Sequence, residues 1–245
     1  MAPVHSRICK GCWQQLHIPV PLRGPASLPF RLFGIRPSRM NPNTCTFCEL
    51  MFTRIMKARK IPVDVSVLFA DLRGYTALSQ SLPPDAVSSL LDAFYDESAE
   101  AIWDYDGLLN KTIGDAVMAL FNFPIQQPNH AEQAIRAGRE ILRRWEARRR
   151  TLLLDHAALG ETELGVGIGI DSGVASFGEF GRAHRDLTAI GPVVNTAARA
   201  QAAAATGEIL VTRAVLDRVG RDLVKGEGRE YRLKGFATPV QLYAA

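Results

Sequence analysis

Two sets of residues in this chain have types and spacings suited to chemistry: the aspartates Asp71 and Asp115, each beside a glycine-bearing turn, and four cysteines. Asp71 ends the run "VDVSVLFAD", where alternation places Val65, Val67, Phe69 and Asp71 on one face. Gly74 and Thr76 then lead into a helix, so a turn of backbone N–H groups and a helix N-terminus lie beside the carboxylate. That combination suits a metal-bound polyphosphate, although a carboxylate at a strand end also serves as a helix cap. Asp115 follows Gly114 within "LLNKTIGDAVMALFNF", which reads as two strands around a Gly-Asp turn. If the strands bearing the two aspartates are neighbours, Asp71 and Asp115 can hold two Mg²⁺ or Mn²⁺ ions for in-line phosphoryl chemistry. Lys111 stands on the other side of Gly114, and a plain surface ion pair with Asp115, worth about 0–1 kcal/mol, is equally open at this point. In "GPVVNTAARA", Asn195 and Arg199 are one helical turn apart, placed to bind a phosphate whose charge grows in a transition state, or simply to form a solvated edge.

The cysteines Cys9, Cys12, Cys45 and Cys48 form two C-x-x-C pairs near the N-terminus. In a reducing compartment this pattern points to a metal before disulfides. Zn²⁺ fits four thiolates; an iron–sulfur cluster uses the same four ligands, and unliganded or redox-active thiols are the remaining alternative. His17 could replace one ligand, but a lone histidine is more often ordinary surface. The Pro-, Gly- and Arg-rich stretch between the pairs has no helix or strand period, so a metal staple would explain how it folds. Residues 48–60 then read as an amphipathic helix with Met51, Phe52, Ile55 and Met56 on one side, ending before Pro62.

Around these residues the chain predicts alternating elements. They are a strand ending at Asp71, a helix over "PPDAVSSLLDAFYDESAEAIWDYDG", the hairpin carrying Asp115, and a helix from about His130 to Arg149. Strands follow in "ELGVGIGID" and "GVASFGEFG", then an Ala-rich helix from Pro192 to Ala205, with strands at "EILVT" and "VQLYA". The expected class is α+β, a mixed sheet with packed helices, divided into a cysteine module over residues 1–60 and a larger domain over 61–245. The chain has 245 residues, enough to bury a real core. Its net charge of +4 does not call for nucleic acid, and the arginines of "RRWEARRR" are read as the solvated end of a helix. No apolar run reaches membrane-spanning length and the start lacks the apolar stretch of a signal peptide, so a soluble, cytoplasmic protein is expected.

"SVLFADLRGYTALS", "NKTIGDAVMALF" and "LTAIGPVVNTAARA", in this order, resemble the catalytic domain of the class III nucleotide cyclases, the adenylate and guanylate cyclases. The resemblance runs from about Val63 to Ala245 and closes on "YRLKGFATPVQLYA". It implies a ferredoxin-like cyclase fold with active sites shared across a head-to-tail homodimer. By that resemblance Asp71 and Asp115 are the metal-binding aspartates, two Mg²⁺ or Mn²⁺ per site, and the turn through Arg73 and Gly74 is the backbone cradle for the triphosphate. Lys111 falls at the position that donates to adenine N1, where guanylate cyclases typically carry an acid. Thr188 occupies the second base-reading position, where many animal enzymes have Asp, which leaves more of the purine choice to Lys111. Asn195 and Arg199 match the residues that orient the ribose and stabilise the α-phosphate, and Lys234 of "LKG" matches a triphosphate-binding lysine.

The implied reaction is ATP to 3',5'-cyclic AMP and pyrophosphate, with water or substrate taking the proton. A guanylate cyclase is the nearest alternative. Others are a silent nucleotide-binding sensor and a zinc ribbon that binds nucleic acid while the cyclase domain regulates it. The N-terminal module is expected to regulate the cyclase through the helix that feeds the strand bearing Asp71.

Overall fold

The computed structural model of the chain describes residues 5–155, 164–181, 183 and 185–245. One long mixed sheet organises it. The strands are β1 (Ile61–Arg73), β2 (Leu108–Ile113), β3 (Ala116–Phe121), β4 (Gly165–Phe180), β5 (Asp186–Ile190), β6 (Ile209–Thr212), β7 (Lys225–Tyr231) and β8 (Val240–Ala244). Their order is β2-β3-β1-β4-β6-β8-β7, with β5 paired to β4. Only β4 and β6 run parallel; the other neighbours are antiparallel. The helices α4 (Tyr75–Ser81) and α5 (Pro84–Asp104) link β1 to β2, and α6 (His130–Asp155) links β3 to β4. With sheet order β4-β1-β3-β2, this is the ferredoxin-like β-α-β-β-α-β unit.

Parity along β1 divides the core. Leu68, Ala70 and Leu72 face α5 and α6 and join Phe94, Ile102, Ile135 and Trp145 in the larger cluster. Val65, Val67 and Phe69 face the other way, with Val193 and Ala197 of α7 (Pro192–Ala203) and Met56 of α3 (Thr46–Ala58). Asp71 continues this second row, so it emerges on the α7 side. The Pro at the start of α5 and α7 sits where no intrahelical N–H is needed.

Three sequence expectations change. The two strands predicted around residue 172 are one continuous β4, because β1 pairs with it from Ile61 to Arg73 and holds the whole run extended; Glu163, the first residue of the expected strand, lies outside the described residues. β5, only five residues long, and β7, made mostly of polar residues, are strands that the hydrophobic pattern does not mark. The arginine cluster is not a helix end: α6 runs on to Asp155, and Arg143, Arg144, Arg149 and Arg150 pair with Glu140 and Glu146 along its flank.

The cysteine-bearing segment packs on the sheet through both polar and apolar contacts. It contributes α1 (Lys10–Leu16), α2 (Leu28–Leu32) and α3. Asn41 Nδ2 donates to Gly107 O at 2.9 Å, and Asn43 Nδ2 donates to Trp103 O and to Asp106 Oδ1 at 2.9 and 2.8 Å. Lys10 pairs with Asp106, and Trp103 Nε1 donates to Met40 O at 2.9 Å. All of these meet the corner between α5 and β2. On α3, Phe52 packs on Phe123 and Phe177, with ring centroids 5.2 and 5.6 Å away. Met56 is buried as expected, while Met51 and Ile55 stay exposed along a cavity of about 530 Å³ between the module and β2. Among the described residues no helix is long and apolar enough to cross a membrane.

Candidate active site

The ladder between β1 and β3 brings the two aspartates together. Asp71 stands opposite Ala116, and the neighbouring Asp115 fills the β2–β3 turn, with Leu72 N donating to Asp115 O at 3.1 Å. Gly114 makes this turn possible with φ of 61°, a conformation a side chain would resist. Tyr95 of α5 donates its hydroxyl to Gly114 O and braces the turn from below. Burial and the Asp115 charge push the Asp71 carboxyl up to about 6, against the opposing pull of Arg73 and Gln201.

Asp71 is held by an arrangement the sequence did not reveal. Gln201 Nε2 of α7 donates to Asp71 Oδ2 at 3.0 Å, and Arg73 Nη1 reaches the same oxygen at 3.2 Å while its Nη2 donates to Gln201 O. The guanidinium of Arg73 therefore lies over β4, against Gly167, and the predicted cradle at Arg73 and Gly74 is left to the backbone. Gly74 has φ of 81° and opens α4. A Cβ on Gly169 would stand 2.0 Å from Gln201 N, so α7 rests directly on the β4 backbone. Asn195 and Arg199 share an exposed face of this closely seated helix. Lys234 is exposed in the connection between β7 and β8.

Lys111 does not pair with Asp115. A bulge in β2 leaves Asn110 as the extra residue between Leu109, opposite Ala119, and Lys111, opposite Met118. Both Asn110 and Lys111 consequently reach β5: Lys111 Nζ pairs with Asp186, Thr188 Oγ1 donates to Asn110 Oδ1 at 2.8 Å, and Asn110 Nδ2 donates to Leu187 O at 3.0 Å. Bulges of this kind re-aim side chains next to functional sites. Lys111 and Thr188 thus lie on one wall, together with Asn110 and Asp186. Asp186 shares the parity of Thr188, a signal that was available in the sequence once β5 was known to be a strand.

The four cysteines converge. Their Sγ atoms all lie within 4.8 Å of one another, with Cys9–Cys48, Cys12–Cys45 and Cys12–Cys48 at 3.6, 3.7 and 3.4 Å. Each C-x-x-C pair opens a helix: Cys9 caps α1 and Cys45 caps α3, accepting from Cys12 N and Cys48 N at 3.4 Å. Cys45 N also donates to Cys9 Sγ at 3.2 Å. Helix N-termini and N–H donors favour thiolates. Hydrogen bonds from Cys48 and Cys9 pull Cys45 down to about 2, whereas burial pushes Cys12 up to about 12 and the bond to Cys45 raises Cys48. The cluster could hold a metal ion, which would allow all four sulfurs to ionise. His17 is exposed at the C-cap of α1 and takes no part.

Residues 58–243 match the family model described as the adenylate and guanylate cyclase catalytic domain. Over 137 residues the chain is 31% identical to "Adenylate cyclase 1" of Rhizobium meliloti, covering 56% of this chain and 20% of that protein. "Adenylate cyclase" of Anabaena cylindrica is 31% identical over 136 residues, 55% of this chain and 26% of the relative. This chain thus spans a fifth to about a quarter of the length of those two relatives. Among solved structures, the adenylyl cyclase CyaB from P. aeruginosa superposes with a TM-score of 0.68 at 30% identity, covering 76% of this chain and 95% of that one. The guanylyl cyclase Cya2 gives 0.67 at 27%, covering 76% and 92%. With the sheet order, the paired aspartates and the match over most of its length, this chain belongs to the class III nucleotide cyclases, of which it carries the catalytic domain.

Proposed function

We propose that the chain is an adenylate cyclase, converting ATP to 3',5'-cyclic AMP and pyrophosphate at sites formed between two copies of itself. The observation that carries this reading is the juxtaposition of Asp71 and Asp115 at the end of β1, combined with a lysine on the β2–β5 wall. The aspartates fit a pair of divalent cations, because positive charge offsets both the burial and the Asp115 repulsion that hold Asp71 at about 6. Asp71 and Asp115 would hold Mg²⁺ or Mn²⁺, which would supply Lewis acidity at the ribose 3'-hydroxyl and offset the charge of the triphosphate. The 3'-oxygen attacks the α-phosphorus in line, the bond to the oxygen bridging to the β-phosphate breaks, and the hydroxyl proton passes to water or a phosphate oxygen.

Asn195 orients the ribose and Arg199 stabilises the charge gathering on the α-phosphate, both from the exposed face of α7. Backbone N–H groups of the turn at Arg73 and Gly74, together with Lys234, hold the triphosphate. The Lys111 ammonium donates to N1 of adenine; guanine carries an N–H at that atom and would present donor to donor. In a head-to-tail homodimer one copy supplies Asp71 and Asp115 and its partner supplies Lys111, Asn195 and Arg199. The direction of Lys111 toward β5 supports this division of the two charges that flank Gly114.

For the cysteine cluster the proposed occupant is a single Zn²⁺. A tetrahedron with Zn–S bonds of about 2.3 Å has edges of about 3.8 Å; three of the Sγ pairs stand 3.4–3.7 Å apart and all four sulfurs lie within 4.8 Å of one another. An iron–sulfur cluster sets its thiolates on different irons and spreads them further apart. Residues 1–60 act as a regulatory module, reaching β1 through α3 and the start of β2 through Asn41, Asn43 and Lys10.

The experiment is to incubate the purified protein with ATP or GTP and Mg²⁺ or Mn²⁺ and quantify both cyclic nucleotides by mass spectrometry. Cyclic AMP is expected in excess and falls to background in Asp115→Ala. Predominant cyclic GMP, or no cyclic product under any metal, would remove the reading.

A further inference from the structure

Charge is segregated along this chain. Residues 1–48 hold Arg7, Lys10, Arg23, Arg31, Arg36 and Arg39 and no acidic residue. The whole chain has 29 basic and 25 acidic residues, so from Glu49 onward the acids outnumber the bases. A zinc ion on four thiolates adds buried negative charge and still leaves the first segment cationic. Lys10 is engaged with Asp106, and Arg23 donates to Ser6 O and Pro42 O. Arg31, Arg36 and Arg39 are exposed, and among the described residues none of them forms an ion pair. The same stretch projects large apolar side chains into water. In the turn through α2, Phe30 and Ile35 pack inward on the cysteine cluster, whereas Leu28, Leu32 and Phe33 are 62, 87 and 85% exposed. This turn is well fastened. Phe33 N and Ile35 N both donate to Phe30 O, at 3.1 and 3.0 Å, and Gly34 takes φ of 78°. Thr46 Oγ1, at the start of α3, donates to Gly34 O at 2.9 Å. Thr46 adjoins Cys45, so the sulfur cluster and the apolar tip are tied to one piece of backbone.

We propose that this tip docks the protein on an anionic membrane surface, with Leu28, Leu32 and Phe33 entering the boundary between headgroups and acyl chains and Arg31, Arg36 and Arg39 meeting lipid phosphates. Large apolar side chains gain by leaving water, and a turn that already presents them loses little conformational freedom on insertion. One turn alone is too small to hold a protein on a bilayer. Stable peripheral anchoring takes two signals, such as an inserted apolar group and a basic patch beside it, and residues 28–39 carry both. Unpaired arginines add attraction over about a Debye length of a negatively charged leaflet. The excess of acid beyond residue 48 favours the approach of the cysteine module over that of the sheet. A nucleic acid would satisfy the same arginines and could stack a base on Phe33, but it offers no hydrocarbon to Leu28 and Leu32. Those two aliphatic side chains select lipid. The tip contains no residue assigned to catalysis, so docking places the enzyme at a membrane without a spanning helix among the described residues.

The test is cosedimentation of the purified full chain with vesicles of phosphatidylcholine, alone or with phosphatidylserine added. Binding is expected to the anionic vesicles only, and raised salt should release it. Changing Arg31, Arg36 and Arg39 together to Gln should weaken binding by about a hundred-fold. Leu32→Ser combined with Phe33→Ser should weaken it by about ten-fold or more while leaving its salt dependence in place. Both variants should keep the wild-type melting temperature and bound zinc, because the altered side chains are exposed. No binding to phosphatidylserine vesicles, or binding that the Leu32→Ser, Phe33→Ser variant retains in full, overturns the proposal. Tighter binding to single-stranded DNA or RNA than to vesicles overturns it in favour of nucleic acid. A mass in solution that changes in the Leu32→Ser, Phe33→Ser variant, when the wild type binds no vesicles, assigns the tip to a contact between copies instead.

Discussion

At Asp71 the fold accepts an unfavourable charge in order to have it available. Burial and Asp115 raise its pKa from 3.8 to about 6. A group whose folded value is raised stabilises the fold below the unfolded value, and that contribution disappears as pH rises through the folded one. Without added divalent metal the protein therefore loses up to roughly 3 kcal/mol from this group between about pH 4 and pH 7. Asp71→Asn is expected to raise the melting temperature at pH 7.5 and to change little near pH 4; equal melting of the two proteins at pH 7.5 would contradict this account. Mg²⁺ or Mn²⁺ should stabilise the wild type at pH 7.5 and leave the Asn variant unmoved.

At the scale of elements, α7 and β4 are the decisive pair. The glycines of "GVGIGID" read from sequence only as a weak strand, since glycine offers nothing to pack. In the fold Gly169 lets the α7 backbone lie on β4, with Ala197 O 2.4 Å and Gln201 N 2.0 Å from where its Cβ would be. Gly169→Ala must therefore lift the helix that carries Asn195, Arg199 and Gln201. A cost of roughly 1–3 kcal/mol is expected by thermal melting, together with a lower cyclase rate at saturating ATP. Unchanged melting and turnover would mean that the seating of α7 is not under this constraint.

Across the whole molecule, the residues assigned to one reaction lie in two places, Asp71 and Asp115 at the β1 end and Lys111 on the β2–β5 wall. Mixing Asp71→Ala chains with Arg199→Ala chains is expected to restore activity, because one of the two sites in the heterodimer is then intact. Heterodimers that form without activity would rule out shared sites. The module adds a second dependence: Cys45→Ser should lower bound zinc from one ion per chain, measured by elemental analysis, and alter the cyclase rate or dimerisation. A zinc-depleted variant with unaltered kinetics and mass in solution would leave the module without a regulatory role.

Much of this protein is readable along the chain because local chemistry is local in sequence. The alternation that sets Val65, Val67 and Phe69 on one face, the Pro starts of α5 and α7, the Gly-Asp turn and the C-x-x-C spacing each follow from a few neighbouring residues, and together they placed Asp71, Asp115, Lys111, Asn195, Arg199 and the cysteines. What needed the tertiary structure depends on partners far apart in sequence. β7 exists because β8 supplies its hydrogen bonds, not because its side chains are apolar, and the short β5 is held extended by β4. Gln201 meets Asp71, and Asp186 meets Lys111, only after the sheet has closed over distances the pattern does not encode. A bulge of one residue at Asn110 decides where Lys111 points, because in a strand a one-residue shift exchanges the two faces.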